Sequence, residues 1–223
     1  MIGTIVNTVS IIFGGSVGTF LGDKLAKRYK ETVMQGITLA VLLLGLKMAL
    51  GTQNPTIVIF SLLLGALAGE TIRIEKKLNQ FGAWLEKKFK GQGSIAEGFV
   101  QCSLLYCVGA MAIMGAIQDG LQQDPTTLYA KSLLDGFSAI AFSSTLGIGV
   151  VLSAIPVLIY QGSITLLASW VQILLTEEVI IEMTATGGLL IVAIALNMFD
   201  LTEIKVGNLL PAIFVAVILA FFI

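Results

Sequence analysis

Gly3-Thr-Ile-Val-Asn7-Thr-Val-Ser-Ile-Ile-Phe-Gly14-Gly15-Ser-Val-Gly18-Thr-Phe-Leu21 contains no ionisable residue. It is long enough to cross a bilayer, because a spanning helix needs roughly 20 apolar residues. Thr127-Leu-Tyr-Ala-Lys131-Ser-Leu-Leu-Asp135-Gly-Phe-Ser-Ala-Ile-Ala-Phe-Ser143 is a second such stretch, and it holds two charges. A soluble protein could not expose this much apolar surface. A mere anchor would not keep charges at membrane depth, where each costs about 3 kcal/mol unless paired or solvated. The two stretches predict an all-α fold, a polytopic transmembrane helix bundle.

The rest of the chain extends that reading to about eight spans: Gly3–Leu21, Gln35–Leu50, Pro55–Ile72, Ala96–Ile117, Thr127–Ser143, Leu146–Ala168, Val179–Phe199 and Val206–Phe222. Mean hydropathy is +0.94, and only 12% of the residues are charged, against about 25% in soluble domains. The 223 residues suit a single transmembrane domain with a net charge of -1, which argues against a nucleic-acid partner. Cys102 and Cys107 fit neither a disulfide framework nor a metal knuckle and read as buried thiols. The N-terminus lacks the basic start of a signal peptide, so the first span reads as retained.

Positive charge follows the first span at Lys24, Lys27, Arg28 and Lys30, and follows the third at Arg73, Lys76, Lys77, Lys87, Lys88 and Lys90. Loops rich in lysine and arginine stay cytoplasmic. Both loops are therefore expected to face the cytoplasm, which places both termini of this multi-pass chain outside. Between Glu75 and Lys90, Leu78, Phe81, Leu85 and Phe89 recur at helical spacing opposite a lysine face. That pattern predicts an amphipathic helix in the inner interface.

An internal repeat is legible in the spans. Ile11-Ile-Phe-Gly-Gly-Ser-Val17 parallels Leu158-Ile-Tyr-Gln-Gly-Ser-Ile164; Leu46-Lys47-Met48 parallels Leu196-Asn197-Met198; Ser61-Leu-Leu63 parallels Asn208-Leu-Leu210. Spans 1–3 thus map in order onto spans 6–8, with inverted orientation. The domain is laid out as a first repeat (1–72), an interfacial helix and cytoplasmic loop (73–92), a central hairpin (93–145) and a second repeat (146–223). A second echo sets Gln53-Asn-Pro-Thr56 against Gln123-Asp-Pro-Thr126.

Corresponding interruptions in two halves point to a midplane site. The helix-break candidates are Gly14, Gly15, Pro156 and Gly162. Proline removes a backbone donor and clashes with the preceding turn, while for the glycines, spaced four apart at Gly14, Gly18 and Gly22, close helix packing is the default reading. Asp135 and Lys131 share a helix face and can pair. Asp135 is the leading candidate for contact with a substrate or coupling ion, beside the default reading of a purely structural ion pair. Asn7, Gln161, Asn197 and Lys47 complete the substrate- or ion-binding candidates, the last two at matching repeat positions. Glu70 and Glu97 read as interfacial anchors, and Asp119 as a solvated cap.

Catalysis is not expected. There is no histidine to act as a base and no Gly-x-Ser-x-Gly elbow, and Asp135 has no partner aspartate in a second motif. No catalytic residue, cofactor or metal site is assigned.

Stretches along the whole chain carry a resemblance: Gly3-Thr-Ile-Val-Asn7, Gly45-Leu-Lys-Met48, Glu97-Gly-Phe99, Cys107-Val-Gly-Ala110, Asp119-Gly-Leu121, Lys131-Ser-Leu-Leu-Asp-Gly136, Gly147-Ile-Gly-Val150, Tyr160-Gln-Gly-Ser163 and Asn208-Leu-Leu-Pro211. The chain resembles the uncharacterised bacterial YqgA/YdfK-type family of polytopic membrane proteins, a domain of unknown function. The resemblance implies an inner-membrane protein of transporter type without naming a substrate. The expectation is a secondary transporter or channel-like carrier for an ion or small polar solute, with the bilayer and that solute as partners. A non-transporting scaffold or regulatory protein is the alternative. Glycine stripes make a homodimer an expectation under either.

Overall fold

A computed structural model of the chain describes residues 1–24, 26–80 and 95–222. Every regular element among them is helical. The helices are α1 (Ile2–Lys24), α2 (Lys27–Ala49), α3 (Pro55–Ile72), α4 (Ile95–Cys107), α5 (Ala110–Leu121), α6 (Thr126–Leu146), α7 (Gly149–Leu152), α8 (Ala154–Leu166), α9 (Ala168–Leu174), α10 (Glu177–Met198), α11 (Val206–Leu209) and α12 (Pro211–Phe222).

Among the described residues, five helices are long and apolar enough to cross a membrane: Ile2–Gly22, Glu31–Ala49, Pro55–Ile72, Gly149–Leu166 and Glu177–Met198. Ile95–Cys107 and Met111–Leu121 form a pair bent by 59°, which makes up to six if the pair is one span. The remaining expected spans are a shorter apolar helix, Val206–Phe222, and α6, which is 21 residues long but diluted by Lys131 and Asp135. Of the expected interfacial helix, residues 74–80 are helical. Its remainder, with Phe81, Trp84, Leu85 and Lys87, lies outside the described residues.

The helices are inside-out relative to a soluble fold. On α3 the buried face is Ile57, Val58, Ser61, Gly65 and Gly69, while Ile59, Phe60, Leu63, Leu64 and Leu67 are exposed. On α1, Thr4, Asn7 and Thr8 are buried, and Ile5, Val9, Ile12 and Phe13 are exposed. Apolar side chains gain nothing by leaving lipid, so small and polar residues mediate helix contact instead.

The chain divides into two compact units. The first comprises 1–37, 81–107 and 111–171. Here α1 lies along α6 in the same direction. Cβ atoms added at Gly14 and Gly18 would overlap the carbonyls of Gly136 and Ile140, and one at Gly22 would overlap Ser144. α1 therefore runs unbroken through Gly14 and Gly15. These glycines serve close approach and do not break the helix. Gly162 likewise sits within continuous α8. The interruption falls at Ser153, between α7 and α8 and one turn before Pro156. Proline there has no N–H for the Leu152 carbonyl, while the buried Ser153 hydroxyl donates to the Val150 carbonyl at 2.6 Å.

The second unit comprises 38–80, 108–110 and 172–223. α2 packs against α10 where Gly45 meets Gly188 and Val192, and α3 packs against α12 where Gly65 meets Ala212. Both pairs are antiparallel. The glycine stripes of α1 and α3, which motivated a homodimer, are thus occupied within the chain.

Gly18 and Gly36 give opposite expectations. Gly36 is exposed on α2 with nothing within 4 Å of an added Cβ. Gly36→Ala is expected to be neutral or to stabilise by about 0.5–1 kcal/mol through lost backbone entropy in the unfolded chain. Gly18→Ala is expected to cost at least about 1–3 kcal/mol by overpacking against backbone. Thermal unfolding in detergent checks both.

Candidate functional site

The close approach of α1 to α6 brings polar side chains together that each helix alone would leave unpartnered in an apolar medium. Asn7 projects from the first third of α1, Lys131 and Asp135 from successive turns of α6, and Gln161 from the middle of α8. All four are buried, Asn7 and Gln161 at 0% exposure and Lys131 and Asp135 at 7% and 5%.

Their contacts form one connected set. Lys131 Nζ donates to Asp135 Oδ1 at 3.0 Å and lies 2.9 Å from Oδ2. Asn7 Nδ2 donates to Asp135 Oδ2 at 3.0 Å and to Gln161 Oε1 at 3.3 Å. Asp135 thus accepts on both oxygens, as a buried carboxylate requires. Two atoms of the set have no hydrogen-bond partner: Asn7 Oδ1, an acceptor, and Gln161 Nε2, a donor. One turn nearer the α1 N-terminus, the buried hydroxyls of Thr4 and Thr165 lie 3.3 Å apart. A second chain of contacts leaves on the other side, where Ser138 Oγ donates to the Asp135 carbonyl at 3.0 Å and to Tyr106 Oη at 3.2 Å.

Four of the residues singled out from sequence are therefore in one cluster. The other two are not part of it, and both belong to the second unit. Lys47 is exposed on α2. Asn197 clamps the turn after α10: its Nδ2 donates to the Ile204 carbonyl at 2.7 Å, and its Oδ1 accepts from Ile204 N–H at 2.9 Å.

Two buried carboxylates have roles that sequence reading missed. Asp119, read as a solvated cap, is 6% exposed, accepts from Gly3 N–H at 3.2 Å and lies 2.7 Å from the Met1 amine. Glu182, 3% exposed, accepts from the N–H groups of Gln53 at 2.7 Å and Asn54 at 2.9 Å and from the Thr52 hydroxyl at 2.6 Å. Each carboxylate satisfies backbone donors at a helix N-terminus, that of α1 and that of α3. Such donors have no partner within their own helix, and negative charge is favoured there. The available signal was an acidic residue near the end of an apolar stretch, which reads equally as a solvated anchor. Asp124, by contrast, is exposed. The Thr126 hydroxyl and then its backbone N–H hold that carboxyl below its usual range.

Chemically, the cluster can bind and orient a polar solute or exchange a cation or proton at Asp135. Among the described residues no group of three His, Cys, Asp or Glu could hold a metal. Removing one member of the ion pair leaves the other buried and alone, which costs about 3–5 kcal/mol. Asp135→Asn and Lys131→Met are each expected to lower unfolding stability by that order. The double variant is expected to be more stable than either single. A double-mutant cycle by thermal or denaturant unfolding checks this.

No solved structure matches the chain. It is 32% identical to the Uncharacterized membrane protein YdfK of Bacillus subtilis, over 100% of this chain and 97% of the relative. It is also 32% identical to the Uncharacterized protein YqgA of Escherichia coli, over 97% of this chain and 94% of the relative. With several apolar helices beside these relatives, the chain is a membrane protein. Residues 2–221 match the family described as Protein of unknown function (DUF554), and the chain belongs to that family.

Proposed function

We propose that the protein is a small secondary transporter, a carrier that binds an ion or small polar solute at the Asn7–Lys131–Asp135–Gln161 cluster and moves it across the bacterial inner membrane. The observation that carries this reading is the pair of unpartnered buried atoms, Asn7 Oδ1 and Gln161 Nε2, beside an ion pair. A buried polar group without a partner costs about 1–3 kcal/mol. A brace gains nothing from that cost, whereas a binding site recovers it when occupied.

An inverted repeat of spans 1–3 and 6–8 is part of the proposal. Its support is the way equivalent helices pack against each other. α1 is antiparallel to α8, with Asn7 at Gln161 and Thr4 at Thr165. α2 is antiparallel to α10, and α3 to α12, where Gly65 touches its own repeat equivalent, Ala212. In the first unit, α1 and α6 run in one direction, while α7 and α8 follow α4 and α5 from Ile95 at Gly149 to Gly120 at Thr165. Inversion of one triplet of spans relative to the other generates such pairings within each unit, and many carriers use inverted repeats for alternating access. Basic residues after the first and third spans support an orientation with both termini outside.

One observation favours a second reading, a non-transporting scaffold: Lys131 and Asp135 are already joined at 2.9 Å, as a brace would require.

Thermal stability against a panel of ions and metabolites separates the two. A ligand that binds only the folded state stabilises it by about 2.7 kcal/mol at one hundred times its Kd. Saturable stabilisation is expected in the wild type and is expected to vanish in Asp135→Asn, or in the double variant with Lys131→Met if the single is too unstable. A folded wild type indifferent to every compound contradicts the carrier reading.

A further inference from the structure

We infer that the cluster is built for a small solute of zero net charge that presents both a hydrogen-bond donor and an acceptor, of which an amino-acid zwitterion is the simplest form. The inference rests on the carrier reading and names its substrate class.

Charge balance is the first argument. Lys131 and Asp135 form the cluster's only ion pair among the described residues, and Asn7 and Gln161 add no charge. A bare cation entering would leave an uncompensated positive charge in an apolar bundle, and a bare anion a negative one. Either costs several kcal/mol. A solute with equal and opposite charges, or with none, leaves the balance intact.

The second argument is the chemistry of the two unpartnered atoms. Asn7 Oδ1 can only accept and Gln161 Nε2 can only donate. Their assignment follows from their neighbours. Asn7 Nδ2 reaches both Asp135 Oδ2 and Gln161 Oε1. Turning the Asn7 amide over would set its oxygen against the Asp135 carboxylate, and turning Gln161 alone would set two NH2 groups face to face. The cluster therefore offers one acceptor and one donor that nothing in the protein uses.

The third argument is spare capacity on the charged pair. An ammonium has three hydrogens, and the two Asp135 oxygens take at most two of them. Lys131 and Gln161 Nε2 are the donors the cluster can offer a ligand, and Asp135 and Asn7 Oδ1 are the acceptors. A zwitterion satisfies both, its carboxylate on the first and its ammonium on the second, and in doing so exchanges the internal ion pair for two ligand pairs.

The test is thermal stability of the purified full-length protein with glycine, trimethylglycine, methylammonium, acetate and sodium, each titrated at matched ionic strength. Glycine is expected to stabilise saturably. Trimethylglycine carries the same charges without an N–H donor and is expected not to, and the three single-charge ions are expected to be inert. Gln161→Glu replaces the donor with an acceptor and adds a negative charge. It is expected to weaken the glycine response at least about tenfold and to create a response to methylammonium. If that variant does not fold, Gln161→Leu is expected to lose the glycine response without gaining one to methylammonium. Stabilisation of the wild type by methylammonium, acetate or sodium alone would overturn the inference while leaving the carrier reading intact. An unchanged glycine response in the folded Gln161 variants would do the same. Indifference to all five probes and to the wider panel would overturn both.

Discussion

A lysine and an aspartate can remain inside an apolar bundle only if each neutralises the other and the remaining polar capacity is met nearby. The Lys131–Asp135 pair at 2.9 Å meets the first condition, and Asn7 meets part of the second. The packing of α1, α6 and α8 in the first unit serves this arrangement. The small residues along α1 and α6 let the two backbones approach until Cβ atoms would collide, and only that approach brings Asn7 within reach of Asp135. α8 carries Gln161 to the other side of Asn7.

The same economy of polar groups recurs at helix ends. Asp119 and Glu182 are both buried carboxylates that accept backbone N–H groups at the start of a helix. Backbone N–H groups at a helix start have no partner within their own helix, and these carboxylates supply one. In the second unit Asn208 does related work, accepting from Glu75 N–H at 2.8 Å and donating to Glu70 at 2.6 Å. Each such contact fixes where a helix starts or stops, and so fixes the register in which the spans meet.

The helices were readable from sequence because apolar length is a local property, and so was the Lys131–Asp135 pair, whose spacing puts both on one face of any helix. Asn7 and Gln161 were readable as polar residues where a span should be apolar. Pro156 marked an interruption that falls one turn earlier, at Ser153. Gly14 and Gly15 could be read as breaks or as packing positions, because a glycine that permits a bend and one that permits contact are identical until the neighbour is known. Asn197 was singled out by a repeat match, yet its partners lie in the following turn. Asp119 and Glu182 escaped because burial near a span's end depends on a loop distant in sequence. The amphipathic pattern ran from Glu75 to Lys90, and its part from residue 81 onward lies outside the described residues.

The central claim is that the Asn7–Lys131–Asp135–Gln161 cluster is a site that opens to water and not a sealed brace. Ser132, beside Lys131 and 2% exposed, reports on it most directly as Ser132→Cys with Cys102 and Cys107 changed to serine. The measurement is the rate of reaction with a membrane-impermeant thiol reagent in native membranes. A bundle that opens predicts labelling that is slowed by any ligand found to stabilise the protein. Absence of labelling until the protein is denatured would contradict the account and identify the cluster as structural.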